Sequence, residues 1–211
     1  MKEVIVFTKV PERGQVKTRL QRKYPAHTVE EIYVAFLQDT LEKLRPYYPW
    51  VAYFPEGKVQ VLWNLLGDRK YLLQRGRDFG EKVMSVFGDF YKMGVKNVVV
   101  VNCDVPTLRK EHVDQAFQLM ESCDAVLGPA HDGGFYLIGG RNVRKELFEG
   151  VEWDGQYVLE RIKRNAEGGG LKLAYTPELR DVDTPEDLEA VRSSGELDKE
   201  SLTFKTLKKI R

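Results

Sequence analysis

Apolar and polar positions along the chain follow two periodicities, which predict strands and helices in alternation. Short unbroken apolar runs rich in β-branched residues, such as 3–8 and 97–102, indicate strands buried on both faces. Segments such as 79–93, with apolar residues every three or four positions, are typical of amphipathic helices. This alternation predicts an α/β fold with a mostly parallel sheet covered by helices on both sides.

The same patterns predict the other elements. Strands are expected at 50–54, 59–63, 125–127, 135–138 and 172–175, and helices at 110–122 and 154–165. Thr28 and Glu31 form a capping-box pattern at one helix start, and Thr184 before Pro185 marks another. The polar, basic tail at 196–211 is either a docked helix or a frayed end. Without an internal repeat or a linker, residues 1–211 are expected to form a single domain.

Composition and charge give no support for a nucleic-acid-binding, membrane-spanning or disulfide-rich protein. The net charge of +1 gives no indication of a nucleic acid or a membrane surface as partner. No apolar run approaches the roughly 20 residues of a membrane helix, and the N-terminus leads directly into a strand without a leader pattern. We therefore expect a soluble, cytoplasmic protein. The two cysteines, Cys103 and Cys123, offer neither a disulfide framework nor metal-ligand spacing.

A basic loop follows the first predicted strand directly. It carries Lys9, Arg13, Lys17 and Arg19 around Gly14. Lysine and arginine supply donors for phosphate oxygens, and a glycine lets the backbone approach a ligand closely. A solvated basic loop is the alternative, but the strand that leads into this one favours binding of a nucleotide or another phosphate compound.

Carboxylates follow two later strands. Asp104 stands at an Asp-x-Pro corner after 97–102, and Asp181 and Asp183 lie just before the helix that starts at Thr184. Ligands of parallel sheets bind at the carboxyl ends of the strands, so we expect these side chains to meet the basic loop there. Carboxylate oxygens suit Mg²⁺ or Mn²⁺. Turn formation by Asp104 and helix capping by the later pair are the alternatives.

Two other polar segments offer candidate residues. In His131-Asp132-Gly133-Gly134, Asp132 can bind a metal, hold an acceptor hydroxyl or act as a base, and the glycines leave room for an acceptor. His131 is a second candidate base, with a structural role as its alternative, and Asp-Gly is also a strong hairpin signal. The stretch 74–82 offers Arg77 for phosphate binding, with a solvated helix entry as its alternative.

Together these segments resemble a known family. Segment 7–20 is similar to the F-x-K-x-P-x-x-G-x-V-K-T-R-L opening of bacterial and archaeal glycosyltransferase-A-like proteins, some of them named radical-SAM/selenodomain-associated transferases. Segments 74–81, 104–106, 128–139 and 181–187 match the same family in order. The opening also looks like that of 2-phospholactate guanylyltransferase, and the ending is similar to those of cytidylyl- and guanylyltransferases of isoprenoid and molybdenum-cofactor pathways. Asn102-Cys103 and His131 depart from the family pattern.

The resemblance implies the nucleotide-diphospho-sugar transferase fold, a three-layer α/β/α sandwich with a mostly parallel mixed sheet. It also implies that Asp104 and Asp183 are ligands of Mg²⁺ or Mn²⁺, that the basic loop binds a di- or triphosphate, and that Asp132 lies on the acceptor side. We expect a metal-dependent transferase with a nucleotide-activated donor, and we favour a nucleotide sugar. A nucleotidyltransferase that releases pyrophosphate, a non-catalytic nucleotide-binding regulator and a structural scaffold are the alternatives. The base, the sugar and the small-molecule acceptor stay open.

Overall fold

A single mixed sheet forms the centre of the molecule in the computed structural model, which describes residues 1–210. Its strands are β1 Lys2–Lys9, β2 Trp50–Phe54, β3 Tyr71–Leu73, β4 Asn97–Asn102, β5 Ala125–Pro129, β6 Phe135–Gly140 and β7 Leu173–Tyr175. They lie in the order β3-β2-β1-β4-β6-β5-β7. Neighbours are parallel except where β6 pairs with β4 and β5.

Helices cover both faces of this sheet. They are α1 Ala26–Lys43, α2 Val59–Leu66, α3 Phe79–Lys92, α4 Lys110–Leu119, α5 Val158–Gly168, α6 Pro185–Ser193 and α7 Leu202–Lys209. Alternate side chains of β1 explain the two cores, because Val4 and Val6 pack with α1 and α4 while Ile5 and Phe7 pack with α3 and α5. The predicted three-layer α/β/α fold with a mostly parallel sheet is confirmed.

A third apolar cluster lies on the outer side of α1. Leu20 of the first loop, Leu188 of α6 and Leu207 of α7 meet there with side chains of α1. Both carboxylate oxygens of Asp39 accept hydrogen bonds from the first backbone N–H groups of α7, at 2.9 and 2.7 Å. The tail is therefore a docked helix over Leu202–Lys209, whereas residue 211 of the predicted segment 196–211 lies outside the described residues.

Two local predictions were wrong. The expected strand at 59–63 is the start of helix α2, in which Leu62 is buried and Val61 and Leu66 pack against the same core at helical spacing. Short apolar runs do not distinguish strand from helix by periodicity alone. Helix α1 begins after Pro25, and Thr28 lies inside its first turn instead of capping it.

Other helix boundaries follow the local chemistry. Thr184 and Asp187 form the predicted capping box of α6, with Pro185 at the first helical position. Among residues 1–210, none of the helices combines the length and the apolar character needed to cross a bilayer.

Candidate active site

The basic loop crosses the carboxyl edge of the sheet and is held there by its apolar residues. Val10, Val16 and Leu20 are buried beneath it. Gly14 has a φ of +79°, a conformation that glycine adopts without strain. The ammonium group of Lys9 donates to the backbone oxygen of Gln15 at 2.6 Å. These contacts hold the loop backbone in one conformation, which fixes the positions of the residues that carry its cationic side chains.

Lys17 joins the basic loop to the two later carboxylate segments. Its Nζ donates to Oδ2 of Asp104 at 2.6 Å and also to Oδ1 of Asp183, and its side chain is only 10% exposed. Burial alone would lower the pKa of Lys17, but the charges of Asp104 and Asp183 outweigh burial and raise it above its ordinary value. Lys17 is therefore a permanently charged centre of the site.

The segment that carries Asp181 and Asp183 is fixed by the backbone between them. The Val182 N–H donates to the backbone oxygen of Asp104 at 2.9 Å, and the Val182 side chain is fully buried. Asp187 caps α6, accepting from the backbone N–H of Thr184 at 3.0 Å. Thr184 and Asp187 form the cap, so the carboxylate of Asp183 takes no part in it, and Asp183 lines both cavities described below.

Three carboxylates form a cluster beside Lys17. Asp132, Asp181 and Asp183 each offer an oxygen within 4.8 Å of the others. Burial, followed by the charges of Asp104 and Asp132, raises the pKa of Asp181 to about 7. Oδ1 of Asp104 is also buried and has no hydrogen-bond partner among the described residues. Grouped hard oxygen donors and an unpaired buried oxygen fit a divalent cation such as Mg²⁺ or Mn²⁺.

Two adjoining cavities open around these residues. One, of about 380 Å³, is lined by the basic loop together with Tyr33 and Gln74. The other, of about 620 Å³, reaches from the carboxylate cluster to an aromatic wall of Phe79, Phe135 and Trp153. Phe79, Asn102, Asp104 and Asp183 line both cavities. The arrangement has room for two ligands that meet at the carboxylates.

Most of the predicted site residues come together here. Lys9, Lys17 and Arg19 line the smaller cavity with Asp104 and Asp183. The predicted metal pair, Asp104 and Asp183, is brought together on the ammonium group of Lys17. The oxygens that lie close enough to share one cation belong to Asp183 with Asp132 and Asp181, as described above.

Three other predicted side chains lie elsewhere or are already paired. Arg13 is 70% exposed and lies 3.4 Å from Glu30. Arg77 reaches the rim of the larger cavity, but its side chain is 91% exposed and pairs with Glu81 at 2.6 Å. His131 lies on a separate cavity, where its Nδ1 is 3.0 Å from the guanidinium group of Arg180.

The glycine pair after Asp132 shapes the turn between β5 and β6. Gly133 has a φ of +89°, and a Cβ atom there would collide with the backbone oxygen of Gln156. The Gly134 N–H donates to Oδ1 of Asp132 at 2.8 Å, which orients that carboxylate, and Gly134 lines the larger cavity. The turn is a hairpin, as the Asp-Gly signal in the sequence indicated, and it also places the carboxylate of Asp132 in the cluster.

Two cavity residues lie outside the residues predicted from the sequence, and the role of a third was left open. Asp181 was expected to meet the basic loop together with Asp183, with helix capping as the alternative, and its place in the cluster depends on the Val182 backbone contact. Trp153 comes from a segment that carries no recognisable pattern. Lys82 lies in helix α3, where amphipathic periodicity predicts only a solvated position. The folded arrangement is needed to find Trp153 and Lys82 and to place Asp181 in the cluster.

Comparisons with known proteins agree with this architecture. The model of a family described as "Uncharacterized protein conserved in bacteria (DUF2064)" matches residues 37–155, more than half of the chain. The chain belongs to this family. A protein from Desulfovibrio desulfuricans G20, which carries the provisional name nucleotide-diphospho-sugar transferase, has a structure similar to this DUF2064 chain with a TM-score of 0.93. The two are 29% identical, and the match covers 99% of this chain and 95% of that one.

Two further comparisons are with a guanylyltransferase sequence and with the structure of a synthetase. A 2-phospho-L-lactate guanylyltransferase of Methanocaldococcus jannaschii is 27% identical over 101 residues. That match covers 47% of this chain and 44% of the relative, so the chain spans less than half the length of the relative. A CMP:2-keto-3-deoxy-manno-octonic acid synthetase solved with CTP has a TM-score of 0.58 at 14% identity, over 92% of this chain and 98% of that one. This last likeness shows a shared fold.

Proposed function

We propose that this protein is a nucleotidyltransferase, which joins the nucleoside monophosphate part of a nucleoside triphosphate to a phosphorylated acceptor and releases pyrophosphate. The observation that carries the proposal is the junction at Lys17, where a basic loop meets the carboxylate cluster between two adjoining cavities. The archaeal guanylyltransferase relative supports nucleotidyl transfer and makes GTP the first donor to test.

In this reaction an oxygen of the acceptor phosphate attacks the α-phosphorus of the triphosphate. A new P–O bond forms as the bond from the α-phosphorus to the oxygen that bridges to the β-phosphorus breaks. Pyrophosphate leaves with the electron pair of that bond. Because the attacking phosphate is already an anion, the reaction needs positioning and charge neutralisation more than it needs a general base.

The residues at the smaller cavity supply donors of the required charge. Lys9, Lys17 and Arg19 present N–H groups to a polyphosphate, and Asp104 and Asp183 hold Lys17 in place before a ligand arrives. Donors fixed in advance need little rearrangement as charge develops. Asp132, Asp181 and Asp183 would hold Mg²⁺ or Mn²⁺, and the bound cation would neutralise phosphate charge.

Transfer of a sugar from a nucleotide sugar is the second candidate function. It is favoured by the Desulfovibrio structure with its provisional name and by the aromatic wall of the larger cavity, whose apolar faces suit a sugar ring. An acceptor hydroxyl attacks the anomeric carbon, a nucleoside diphosphate leaves, and the hydroxyl must lose a proton. Asp132, the exposed member of the cluster, is then the candidate base.

Product analysis separates the two reactions. The protein is incubated with Mg²⁺ and either each nucleoside triphosphate plus a panel of phosphorylated acceptors that includes 2-phospho-L-lactate, or each nucleotide sugar plus hydroxyl acceptors. We expect pyrophosphate from at least one triphosphate, at a rate that falls at least about tenfold in Lys17→Met. Lys23→Met is the matched control, since Lys23 forms an exposed ion pair with Glu189 outside both cavities.

Three other outcomes would replace or refute the proposal. Release of a nucleoside diphosphate from a nucleotide sugar, with no pyrophosphate in the first series, would replace the proposal with sugar transfer. Nucleotide binding without either product across the panels would favour the non-catalytic regulator. An undiminished rate in Lys17→Met would show that the junction described above is not the site of the chemistry.

A further inference from the structure

The cationic side chains that line the two cavities fall into two groups. Lys17 and Arg19 pair with Asp183, and Arg77 pairs with Glu81. Among residues 1–210, Lys9 and Lys82 are the cations of these cavities that have no carboxylate partner. Lys9 donates only to a backbone oxygen, and the ammonium group of Lys82 makes no hydrogen bond with a described residue.

The fold places these two lysines beside the same aromatic ring. Lys9 of β1 and Phe54 of β2 are register partners, and such partners present their side chains on the same side of a sheet. The Nζ of Lys82 lies 3.7 Å from the centroid of the Phe54 ring. Burial and the neighbouring charge of Lys9 both lower the pKa of Lys82. The opposing charge of Asp78 has a smaller effect on this pKa than the charge of Lys9, so the two like charges lie close together and the protein offsets only part of their repulsion.

That position lies where the two cavities adjoin. Lys9 lines the smaller cavity and Lys82 lines the larger one, while Phe79 belongs to both. An anion at this junction would contact both ammonium groups and remove their mutual repulsion. We propose that Lys9 and Lys82 form an oxyanion-binding pair that holds the oxygens of a phosphoryl group. This inference rests on the proposed function and adds Lys82 to the residues that contact substrate.

A phosphoryl group suits two lysines better than a carboxylate does. Each ammonium group is a compact charge with donors that rotate freely, and a tetrahedral phosphoryl group offers oxygens in several directions. A planar carboxylate instead matches the fork of a single arginine. The phosphoryl group comes either from the β- and γ-positions of the donor or from the phosphate of the acceptor.

Binding measurements on the full chain test the pair. Dissociation constants for GTP, inorganic pyrophosphate and 2-phospho-L-lactate are compared among wild type, Lys82→Met and Lys82→Arg. We expect Lys82→Met to weaken binding of at least one probe by about tenfold or more, and Lys82→Arg to restore most of the affinity. Lys70→Met is the matched control, since Lys70 also lies over an aromatic ring, that of Trp50 at 5.2 Å, but lines neither cavity.

Thermal unfolding without ligand separates binding from a structural role. If Lys82 only covers the Phe54 ring, Lys82→Met lowers the melting temperature and leaves the affinities unchanged. If it belongs to an oxyanion pair, Lys82→Met keeps or raises the melting temperature, because the repulsion from Lys9 is gone. The same measurement establishes that the variant is folded.

The three probes also identify the source of the phosphoryl group. A loss confined to GTP and pyrophosphate assigns the pair to the donor, and a loss confined to 2-phospho-L-lactate assigns it to the acceptor; each outcome upholds the pair. If Lys82→Met binds every probe as tightly as wild type, the pair is refuted, while nucleotide binding by wild type leaves the proposed function in place. Pyrophosphate binding that requires Lys82, without binding of any nucleotide, would instead refute the proposed function alone. Failure of wild type to bind any probe would refute both.

Discussion

Replacing Asp181 with asparagine should stabilise the cation-free protein at pH 8 and have little effect at pH 4.5. The pKa of this carboxyl is raised from 3.8 to about 7, first by burial and then by the charges of Asp104 and Asp132. Asparagine resembles the protonated form of the side chain, so Asp181→Asn removes the unfavourable ionisation while keeping a similar shape.

The sign follows from proton binding. Between pH 4 and 7 the folded protein holds a proton on Asp181 that the unfolded chain, with a pKa of about 3.9, has lost. The contribution of Asp181 to the free energy of unfolding therefore falls as the pH rises through this range and is lowest above pH 7. The shift corresponds to about 4 kcal/mol at most, because one pKa unit is about 1.4 kcal/mol. Water in the open cleft screens part of this energy, so we expect Asp181→Asn to raise the free energy of unfolding at pH 8 by about 2 kcal/mol.

Thermal unfolding in EDTA at the two pH values measures the effect. For a chain of this size, about 2 kcal/mol corresponds to a rise of roughly 4–8 °C in the melting temperature at pH 8. Asp154→Asn is the matched control, because Asp154 lines the same cavity but is exposed and forms no ion pair with the described residues. Equal melting temperatures for Asp181→Asn and wild type at pH 8, or a lower one for the variant, would refute the crowding of carboxylates inferred at this site.

Three further substitutions test other parts of the structure. Lys17→Met should lower the free energy of unfolding by about 2 kcal/mol in urea titrations, because it leaves two partly buried carboxylates without their cation. Lys23→Met, which breaks an exposed ion pair, should change it little, and equal effects of the two substitutions would contradict the pairing at Lys17. Asp39→Ala should cost about 2 kcal/mol and speed hydrogen exchange at 202–209, and unchanged exchange would mean that the cap does not hold α7. Tyr33→Phe removes the hydroxyl that accepts from the Lys9 N–H at 2.9 Å, so we expect a loss of about 1–2 kcal/mol in the same titrations, with no loss contradicting its role under the loop.

The fold and the edge of the sheet that carries the site were predictable from local patterns. Buried runs rich in β-branched residues, such as 97–102, favour central strands, and in such sheets functional loops follow the carboxyl ends. This reasoning brings Lys17 and Asp104 together although 87 positions separate them in the chain. Helix α2 was missed because a short apolar run gives the same signal in either conformation.

The grouping of the carboxylates was not predictable in the same way. It depends on the Val182 backbone bond to Asp104 and on the antiparallel strand β6, which places the Asp132 turn beside the 181–183 segment. The position of Lys82 over Phe54 joins α3 to the end of β2, a contact that no local pattern encodes. Tertiary packing therefore decides which of the predicted side chains act together.

The most direct test of nucleotidyl transfer at this site is ³¹P NMR of the protein with Mg²⁺, GTP and 2-phospho-L-lactate, repeated with the other nucleoside triphosphates. We predict that the triphosphate resonances decline while those of pyrophosphate and of a new diphosphate linkage between nucleoside and acceptor grow in equal amounts. Lys17→Met should slow all of these changes together. Formation of a nucleoside diphosphate and inorganic phosphate instead, with no new diphosphate linkage from any triphosphate, would contradict the account.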